Sequence, residues 1–417
     1  MFVDSTAFSG ECSCGRSHDM VTKAVVIESG ALYRFEEYAE KFGMTGGKRC
    51  VLFDENTYAA TADRHPDGEQ ILIMDPKDLH ANEISTAWVL ERLENDVEVI
   101  IAVGSGTVHD VARFCAHERG IRFVSCPTGA SVDGFCSTVA AMTWHGFKKT
   151  LPAVAPDFVI ADTDVIRNAP PELVRSGVGD ILAKYTALAD WKMANVLTGE
   201  YYCERIAEIT QQAADAVVAS LSGILSGEAE AYERVTYALV MSGIAMQMMG
   251  NSRPASGSEH HVSHLIEMGP SSLDVRFQAL HGEKTGVGSI VAVKEYKRLA
   301  ETADISSHVL DYKDVPGEVI RDYFGDNLAE SIITENSTDC LSVLTKETLA
   351  EKWPQIRKIV GSLPSAEEIY GMLEMIGAKR SLEEIGVTEA DTDAILRYSP
   401  LVRNRLTLMR VRRMLDL

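Results

Sequence analysis

Asp180, His260 and His281 carry side chains that together suit a divalent metal ion. One carboxylate and two imidazoles supply three borderline ligands and leave a coordination position open, which is typical of a catalytic rather than a structural metal site. His264 follows His260 by one helical turn on the same helix face, so it can lie beside the metal without binding it. Taken alone, the histidines are explained equally well as unrelated polar residues of a large chain.

A glycine turn with the features of a nucleotide site precedes the histidines. The unbroken apolar run 99–103 predicts a strand that is buried on both faces. The turn 104–108 and a helical stretch follow at once, which places backbone N–H groups and the positive end of a helix dipole against a pyrophosphate. His109 stands where the usual dinucleotide fingerprint has a third glycine, and we assign it to the helix opening rather than to catalysis. Taken alone, the turn is also compatible with a simple strand-to-helix connection.

A second loop of small residues follows the next apolar strand, 121–126. It spans 127–134 and is rich in small and hydroxyl side chains, which let a ligand approach the backbone closely. Two such loops at successive strand ends favour a bound nucleotide over two unrelated turns.

Five segments in this order resemble one known family. They are 104–110, 127–134, 179–184, 256–264 and 281–283. Together they are similar to the sn-glycerol-1-phosphate dehydrogenases, and most to the bacterial branch of that family. The parent superfamily contains glycerol dehydrogenase, the iron-containing alcohol dehydrogenases and dehydroquinate synthase. The matching motifs cover roughly residues 24 to 290.

The resemblance implies a reaction and roles for named residues. The reaction is reversible hydride transfer between NAD(P)H and C2 of dihydroxyacetone phosphate, which gives sn-glycerol 1-phosphate. Asp180, His260 and His281 would hold zinc, nickel or iron at the C2 oxygen, where the ion polarises a carbonyl or lowers the pKa of an alcohol. His264 would carry the proton or bind a substrate hydroxyl. Asp133 would orient a substrate hydroxyl, as the matching residue of the family does.

The same resemblance implies a set of coenzyme contacts. Asp54, at the end of an early strand, would accept ribose hydroxyls and repel a 2′-phosphate, which favours NAD over NADP. The predicted coenzyme-binding residues are Asp54, Gly104, Ser105, Gly106, Thr107, Val108, Thr128, Gly129, Ala130, Ser131 and Ser137.

Three other functions stay open on the sequence. One is a glycerol or other alcohol dehydrogenase that does not require a phosphate. Another is a lyase like dehydroquinate synthase, which recycles NAD within a turnover. The third is a protein that binds nucleotide and metal without catalysis. Lys148, Lys149, Arg253 and Lys284 flank the motifs, and any of them can pair with a substrate phosphate or be a surface charge.

Periodicity predicts the elements that position these residues. Strand-like runs at 24–27, 50–53, 71–74, 99–103, 123–126 and 158–161 alternate with helical stretches, as in a mostly parallel sheet covered on both faces. Helical stretches then follow at 173–193, 203–225, 229–249, 260–267 and 286–299. Ser365 and Ser381, each followed three residues later by Glu, predict capping boxes. We therefore predict an α/β Rossmann-like domain, 1–166, and an all-α metal- and substrate-binding domain, 167–417, with the active site in the cleft. The resemblance implies that this is the dehydroquinate synthase-like fold.

Composition bears on which molecules the protein binds and on where in the cell it works. Lys and Arg number 40 against 61 Asp and Glu, and the net charge of −21 argues against nucleic-acid binding as the main role. The first residues show no signal peptide, and no apolar run approaches the length of a membrane span. Eight cysteines in so long a chain predict reduced core residues and a cytoplasmic protein. A homodimer is the expectation from base rates.

Two clusters outside the main motifs each have two interpretations. Cys12, Cys14 and His18 offer three metal ligands within seven residues, but no fourth ligand is obvious nearby, so a reduced turn is favoured over a second zinc site. The C-terminal arginines can address an anionic membrane, but in an acidic protein a solvated face or a subunit contact is favoured. These arginines are Arg403, Arg405, Arg410, Arg412 and Arg413.

Overall fold

The strands form one seven-stranded sheet and two short hairpins in the computed structural model, which describes residues 1–417. They are β1 (Phe2–Asp4), β2 (Gly10–Glu11), β3 (Ser17–His18), β4 (Ala24–Glu28), β5 (Lys48–Asp54), β6 (Gln70–Met74), β7 (Val97–Gly104), β8 (Arg122–Pro127), β9 (Val139–Trp144), β10 (Phe147–Pro152) and β11 (Phe158–Asp162). The order in the sheet is β1-β4-β11-β8-β7-β5-β6.

Seventeen α-helices complete the fold. They are α1 (Phe35–Lys41), α2 (Glu55–Ala60), α3 (Glu83–Arg92), α4 (Gly106–Arg119), α5 (Thr163–Asn168), α6 (Pro171–Thr198), α7 (Glu204–Val218), α8 (Leu221–Ser226), α9 (Ala229–Met249), α10 (Ser258–Met268), α11 (His281–Glu301), α12 (Gly317–Phe324), α13 (Asp326–Glu335), α14 (Lys346–Gly361), α15 (Ala366–Met375), α16 (Thr392–Tyr398) and α17 (Leu408–Val411). None of them combines the length and the apolar character that crossing a membrane requires.

The large sheet is parallel except at one edge. Neighbouring strands from β4 to β6 pair in parallel, and only β1 runs antiparallel, against β4. The predicted strands all form, and β7 is buried at every position but Glu98, as its apolar run indicated. Gly104 and Pro127 are register partners at the ends of β7 and β8. The two small-residue loops therefore begin side by side at the carboxyl edge of the sheet.

By packing, the chain divides into two compact units that are each discontinuous in sequence. The first unit comprises residues 1–177 and 208–252, and the second comprises residues 178–207 and 253–417. The first contains the whole sheet, and the second contains helices only. The fold predicted from the sequence, an α/β part and an all-helical part, is confirmed. Residues 208–252, which a single division after residue 166 assigns to the helical domain, group with the sheet.

Three helices of the second unit approach one another closely because glycines lie at the contacts. A Cβ atom on Gly179 of α6 would be 2.2 Å from the carbonyl oxygen of Gly282 in α11. A Cβ atom on Gly288 of α11 would be 2.6 Å from the carbonyl oxygen of Glu259 in α10. Any side chain at these positions would push the helices apart. The glycines thus set the spacing between α6, α11 and α10, the helices that carry the predicted metal ligands.

Local structure differs from the sequence prediction at several places. The hairpin β9–β10 was not predicted, because its turn is His145-Gly146, with both residues at positive φ, rather than the usual Asn-Gly. The stretch predicted as one helix from 203 to 225 is two, α7 and α8. Ser365 and Glu368 form the predicted capping box. At Ser381 only half of the box forms. Ser381 Oγ accepts the backbone N–H of Glu384 at 3.3 Å, but the Glu384 carboxylate accepts from the backbone N–H and the guanidinium of Arg380 rather than from the backbone N–H of Ser381.

The C-terminal arginines are a further difference. Arg410 is fully buried, and its guanidinium donates to Asp339 at 2.8 Å and to the carbonyl oxygen of Arg403 at 3.0 Å. Arg405 donates to the carbonyl oxygen of Ser256 at 2.7 Å. The prediction of a solvated face is wrong for Arg410, because a carboxylate and carbonyls stabilise its charge inside the second unit.

Candidate metal and coenzyme sites

Helices α6, α10 and α11 bring Asp180, His260 and His281 together in the second unit. One ligand atom from each side chain lies within 4.8 Å of those of the other two. Nε2 of His260 is 3.6 Å from Oδ1 of Asp180, and the two imidazole rings have centroids 5.3 Å apart. Asp180 is fully buried, whereas the His281 side chain keeps 26% of its exposure. The arrangement fits one small cation that a substrate can reach from the His281 side.

Two carboxylates fix the orientation of the imidazoles. Nδ1 of His260 donates to Oε1 of Glu259 at 2.8 Å, and Nδ1 of His281 donates to Oε1 of Glu267 at 2.8 Å. A histidine whose Nδ1 holds the proton presents the lone pair of Nε2, and a carboxylate in this place is the usual partner of a metal-binding imidazole. The residues present therefore fit a divalent metal ion. Sequence reasoning missed both glutamates, although Glu259 lies inside a motif used for the family resemblance.

Lys184 contacts the predicted ligand Asp180 and was also missed. Its Nζ is 3.0 Å from Oδ1 of Asp180 and 3.1 Å from the carbonyl oxygen of Ala255, and the side chain is fully buried. Burial alone would raise the pKa of Asp180, but the charges of Lys184, His281 and His260 outweigh it and lower the pKa to about 2. Asp180 is thus an anion at neutral pH. The spacing of four residues between Asp180 and Lys184 was the available signal.

His264 lies beside the metal group, as predicted. Its ring centroid is 6.1 Å from that of His260 and 6.0 Å from that of His281. His264, Glu267 and His281 also have ligand atoms within 4.8 Å of one another, so they form a second possible ligand set. In that set Nδ1 of His281 donates its proton to Oε1 of Glu267 at 2.8 Å, so this nitrogen has no lone pair for an ion and the carboxylate acts as its hydrogen-bond partner. His281 with Asp180 and His260 is therefore the more suitable candidate ligand set.

The four candidate phosphate ligands have different surroundings. Lys284 lies in the first turn of α11, where its Nζ is 3.1 Å from Gln278 Oε1 and 3.4 Å from Glu267 Oε1, so it joins the network around His281. Arg253 is buried against Glu200 and donates to the carbonyl oxygen of Leu406, which indicates a structural role. Lys148 and Lys149 lie on β10 of the first unit.

A cavity of about 380 Å³ lies in the first unit where the two small-residue loops meet. The backbone N–H of Thr128 donates to the carbonyl oxygen of Gly104 at 3.0 Å and joins the loops. Asp54, Ser105, Thr107 and Thr128, all predicted coenzyme contacts, line the cavity. A Cβ atom on Gly106 would lie 2.8 Å from a Val132 methyl, so the loop packs without room for a side chain.

The other predicted coenzyme contacts lie close by in sequence. Gly104 ends β7, and Gly106 and Val108 belong to the first turn of α4. The side chain of Val108 is fully buried, so only its backbone can face a ligand. Ala130 and Ser131 are buried in the second loop with Gly129 between β8 and a 3-10 helix, and Ser137 follows that helix. Arg64, which sequence reasoning did not select, lines the same cavity as Asp54.

Asp133 opens the 3-10 helix Asp133–Cys136, and α9 holds it in place. Ser242 Oγ donates to Asp133 Oδ2 at 2.7 Å. Gly243 permits this contact, since a Cβ atom there would lie 2.8 Å from the Cβ atom of Cys136. The carboxylate of Asp133 keeps a fixed orientation as a result.

The chain is similar in sequence to known metal-containing and NAD(P)-dependent dehydrogenases. The family model for iron-containing alcohol dehydrogenases matches residues 26–170. The NAD(P)+-type glycerol-1-phosphate dehydrogenase of Geobacillus stearothermophilus is 33% identical over 96% of this chain and 94% of its own length. That of Geobacillus thermodenitrificans is 36% identical over the same shares. The chain belongs to the glycerol-1-phosphate dehydrogenase family. An archaeal enzyme of that description, from Pyrococcus horikoshii, is 39% identical over 55% of the chain and 66% of its own length.

Solved structures show the fold of this family member. An iron-containing alcohol dehydrogenase from Corynebacterium glutamicum aligns with a TM-score of 0.63 at 15% identity, over 95% of this chain and 96% of its own. A probable glycerol dehydrogenase from Sinorhizobium meliloti aligns with a TM-score of 0.56 at 19% identity, over 91% and 96%. The family and the fold predicted from the sequence are both confirmed.

His109 supports the first small-residue loop, and its buried ring has a consequence for the pH dependence of stability. Its Nδ1 donates to the carbonyl oxygen of Ser105 at 2.8 Å, and its ring packs edge-on against Phe135, as expected for a residue of the helix opening. Burial lowers the pKa of His109 to about 3, so the folded protein holds it neutral. Because the unfolded chain takes up that proton near pH 6.5, this group's contribution to stability is present above pH 6.5 and is lost as the pH falls towards 3.

We therefore predict that His109→Phe reduces the acid sensitivity of the fold. Near pH 7.5 the variant should be about 1 kcal/mol less stable, because the bond to Ser105 is lost. On acidification to about pH 5.5 the difference should shift by about 1.4 kcal/mol in favour of the variant. Urea unfolding of both proteins at the two pH values measures the shift, and parallel pH profiles would show that His109 is not the buried neutral group described.

Proposed function

We propose that the protein is a metal-dependent glycerol-1-phosphate dehydrogenase that transfers hydride reversibly between NAD(P)H and dihydroxyacetone phosphate. The observation that carries the proposal is the group of Asp180, His260 and His281, in which Glu259 and Glu267 orient the two imidazoles. The substrate is inferred from membership in the family, because the relatives are described as NAD(P)+-type glycerol-1-phosphate dehydrogenases.

In this proposal Asp180, His260 and His281 hold the metal. A divalent ion bound there supplies Lewis-acid polarisation of the C2 oxygen of the substrate. Lys184 keeps Asp180 ionised by its charge at 3.0 Å. Glu259 and Glu267 keep the Nδ1 protons away from the ligand side, so both Nε2 atoms remain available as ligands. Zinc, nickel and ferrous iron all accept this ligand set.

His264 is the proposed proton carrier. It lies in the same helix as His260 and has a ring centroid about 6 Å from both proposed imidazole ligands. At that distance it can hold a proton for the C2 oxygen without being a ligand. We assign Asp133 to a substrate hydroxyl, since Ser242 orients its carboxylate, and Lys284 to the substrate phosphate, since its ammonium belongs to the network of His281.

The first-unit cavity is the proposed coenzyme site. Asp54 Oδ1 accepts the backbone N–H of Thr57 at 2.8 Å, which fixes the carboxylate and leaves Oδ2 to accept from a ribose hydroxyl. Arg64 lines the same cavity and can bind a 2′-phosphate that Asp54 repels. We therefore expect NAD to be preferred and NADP to be accepted. The cytoplasmic location and the homodimer stay predictions from the sequence.

A comparison of two substrates tests the proposed function. With added zinc, nickel or ferrous iron, the protein should consume NADH with dihydroxyacetone phosphate and far less with dihydroxyacetone. Equal kcat/KM for both would favour the second candidate, a glycerol or alcohol dehydrogenase without phosphate specificity, which the fold also permits. NADH oxidation must be net and stoichiometric with product, because a lyase of the dehydroquinate synthase type would recycle the coenzyme.

The roles of the two neighbouring histidines can be separated. His260→Ala should lose one equivalent of divalent metal and all measurable turnover. His264→Ala should keep the metal and lose about 10²–10⁴ in kcat, with an altered pH profile, because only proton transfer is affected. Elemental analysis and kinetics of the two variants are the measurements. A His264 variant that lacks the metal would mean that the ligands are assigned the wrong way round.

Coenzyme preference should respond to the two charged residues of the cavity in opposite directions. Asp54→Ser should weaken NADH binding and relax discrimination against NADPH, since the group that accepts the ribose hydroxyls is removed. Arg64→Met should leave NADH binding nearly unchanged and lower kcat/KM for NADPH. The ratio of kcat/KM for NADH and NADPH is the measurement, and an unchanged ratio in both variants would remove this cavity from the coenzyme site.

A further inference from the structure

The N-terminal segment folds into a small hairpin that gathers two thiols and an imidazole. Strands β2 and β3 are antiparallel, with Gly10 opposite His18. In the turn between them Cys12 and Arg16 are joined by a backbone hydrogen bond of 3.0 Å, and the N–H of Gly15 donates to the carbonyl oxygen of Cys12 at 3.0 Å. Gly15 has φ of +84°, a left-handed conformation that suits glycine. These two hydrogen bonds hold the backbone of the turn that carries Cys12 and Cys14 in a compact conformation.

The spacing of the ligand atoms fits a zinc ion. The sulfur atoms of Cys12 and Cys14 and a ring nitrogen of His18 lie within 4.8 Å of one another, and Cys14 Sγ is 3.5 Å from His18 Nε2. With a Zn–S bond of about 2.3 Å and a Zn–N bond of about 2.0–2.1 Å, the S···N edge of a tetrahedral site is about 3.6 Å. The observed separation matches that edge.

His18 is held in the orientation that a zinc ligand requires. Its side chain is buried, with 2% of the residue exposed, and its Nδ1 donates to the carbonyl oxygen of Met248 in α9 at 2.8 Å. The tautomer with the proton on Nδ1 presents the lone pair of Nε2 towards Cys14. A backbone carbonyl in this position is a common outer partner of a zinc-binding imidazole.

From these contacts we propose that Cys12, Cys14 and His18 bind a structural zinc ion, separate from the catalytic metal. The soft thiolates select zinc over the harder divalent ions. Structural zinc is four-coordinate, so one ligand comes from outside this trio, either another thiolate of the chain or a water molecule. The ion fixes the hairpin, and through His18 and Met248 it fixes the hairpin to α9. This proposal departs from the sequence-based preference for a simple reduced turn.

Metal content of the full-length protein tests the proposal. Protein prepared with zinc should hold one equivalent more than the catalytic site accounts for. Cys12→Ser/Cys14→Ser should lose that equivalent and keep turnover within about twofold, whereas His281→Ala should lose the catalytic metal and keep the hairpin zinc. The matched control is Cys115→Ser, which alters a buried thiol of α4 and should change neither count.

A measurement on the unaltered protein guards against a variant that fails to fold. After removal of zinc, addition of Co²⁺ should give thiolate-to-cobalt charge-transfer bands in the near ultraviolet, which Asp and His ligands of the catalytic site cannot produce. Absence of these bands would overturn the proposal, as would a mass two units lower than that of the reduced chain, which indicates a disulfide. Of the eight cysteines, the six other than Cys12 and Cys14 can be changed to Ser singly. A variant with a weaker cobalt band identifies a thiolate as fourth ligand, and an unchanged set assigns water.

Discussion

A single buried carboxylate, Asp190, holds together the helices that carry the proposed metal ligands. It accepts the backbone N–H of Ser258 at 2.9 Å and its hydroxyl at 2.6 Å, the hydroxyl of Tyr296 at 2.8 Å and the backbone N–H of Leu408 at 2.8 Å. These donors belong to α10, α11 and α17, and Asp190 itself belongs to α6. A buried anion is tolerated only where hydrogen-bond donors surround it. The loss of any of these four donor groups would therefore destabilise the buried carboxylate and the helix contacts around it. Together with the glycines at the helix contacts, this junction fixes the relative positions of the helices that carry Asp180, His260 and His281.

Charge in the second unit favours the uptake of a cation. Asp180, Asp190 and Glu259 are fully buried carboxylates, and Lys184 is the buried lysine among them. Burial and then the charge of Glu259 raise the pKa of Asp190 to about 6, which shows how unfavourable this concentration of negative charge is. A divalent ion at Asp180 would offset part of that repulsion. The donors around Asp190 and the hydrogen bond from His260 to Glu259 therefore keep the helices together, and the ion adds to a geometry already set.

Sequence patterns predicted the parts that depend on local chemistry. The strands followed from unbroken apolar runs, the glycine turn from its place after β7, and the proximity of Asp180, His260 and His281 from residue types that suit one divalent ion. Lys184, Glu267 and Asp190 were not predicted, because their roles depend on partners that only tertiary packing brings near. His18 belongs to this class too, since its tautomer is fixed by Met248, 230 residues away. The His145-Gly146 hairpin turn was missed for a local reason, because it replaces the usual Asn-Gly pair, and the Glu384 carboxylate bonds Arg380 rather than the backbone N–H of Ser381.

The discontinuity of the two units has a consequence for synthesis on the ribosome. The chain passes between the units at residues 177/178, 207/208 and 252/253, so neither unit is a contiguous piece that can fold as soon as it emerges. Asp180 is made about 100 residues before His281, and Asp190 gains its contact with Leu408 only when that residue, 218 positions later, has been added. Until then a helix bearing buried carboxylates lacks its partners. Such nascent chains expose apolar helix faces for longer than domains that fold in order of synthesis, and they depend more on chaperones.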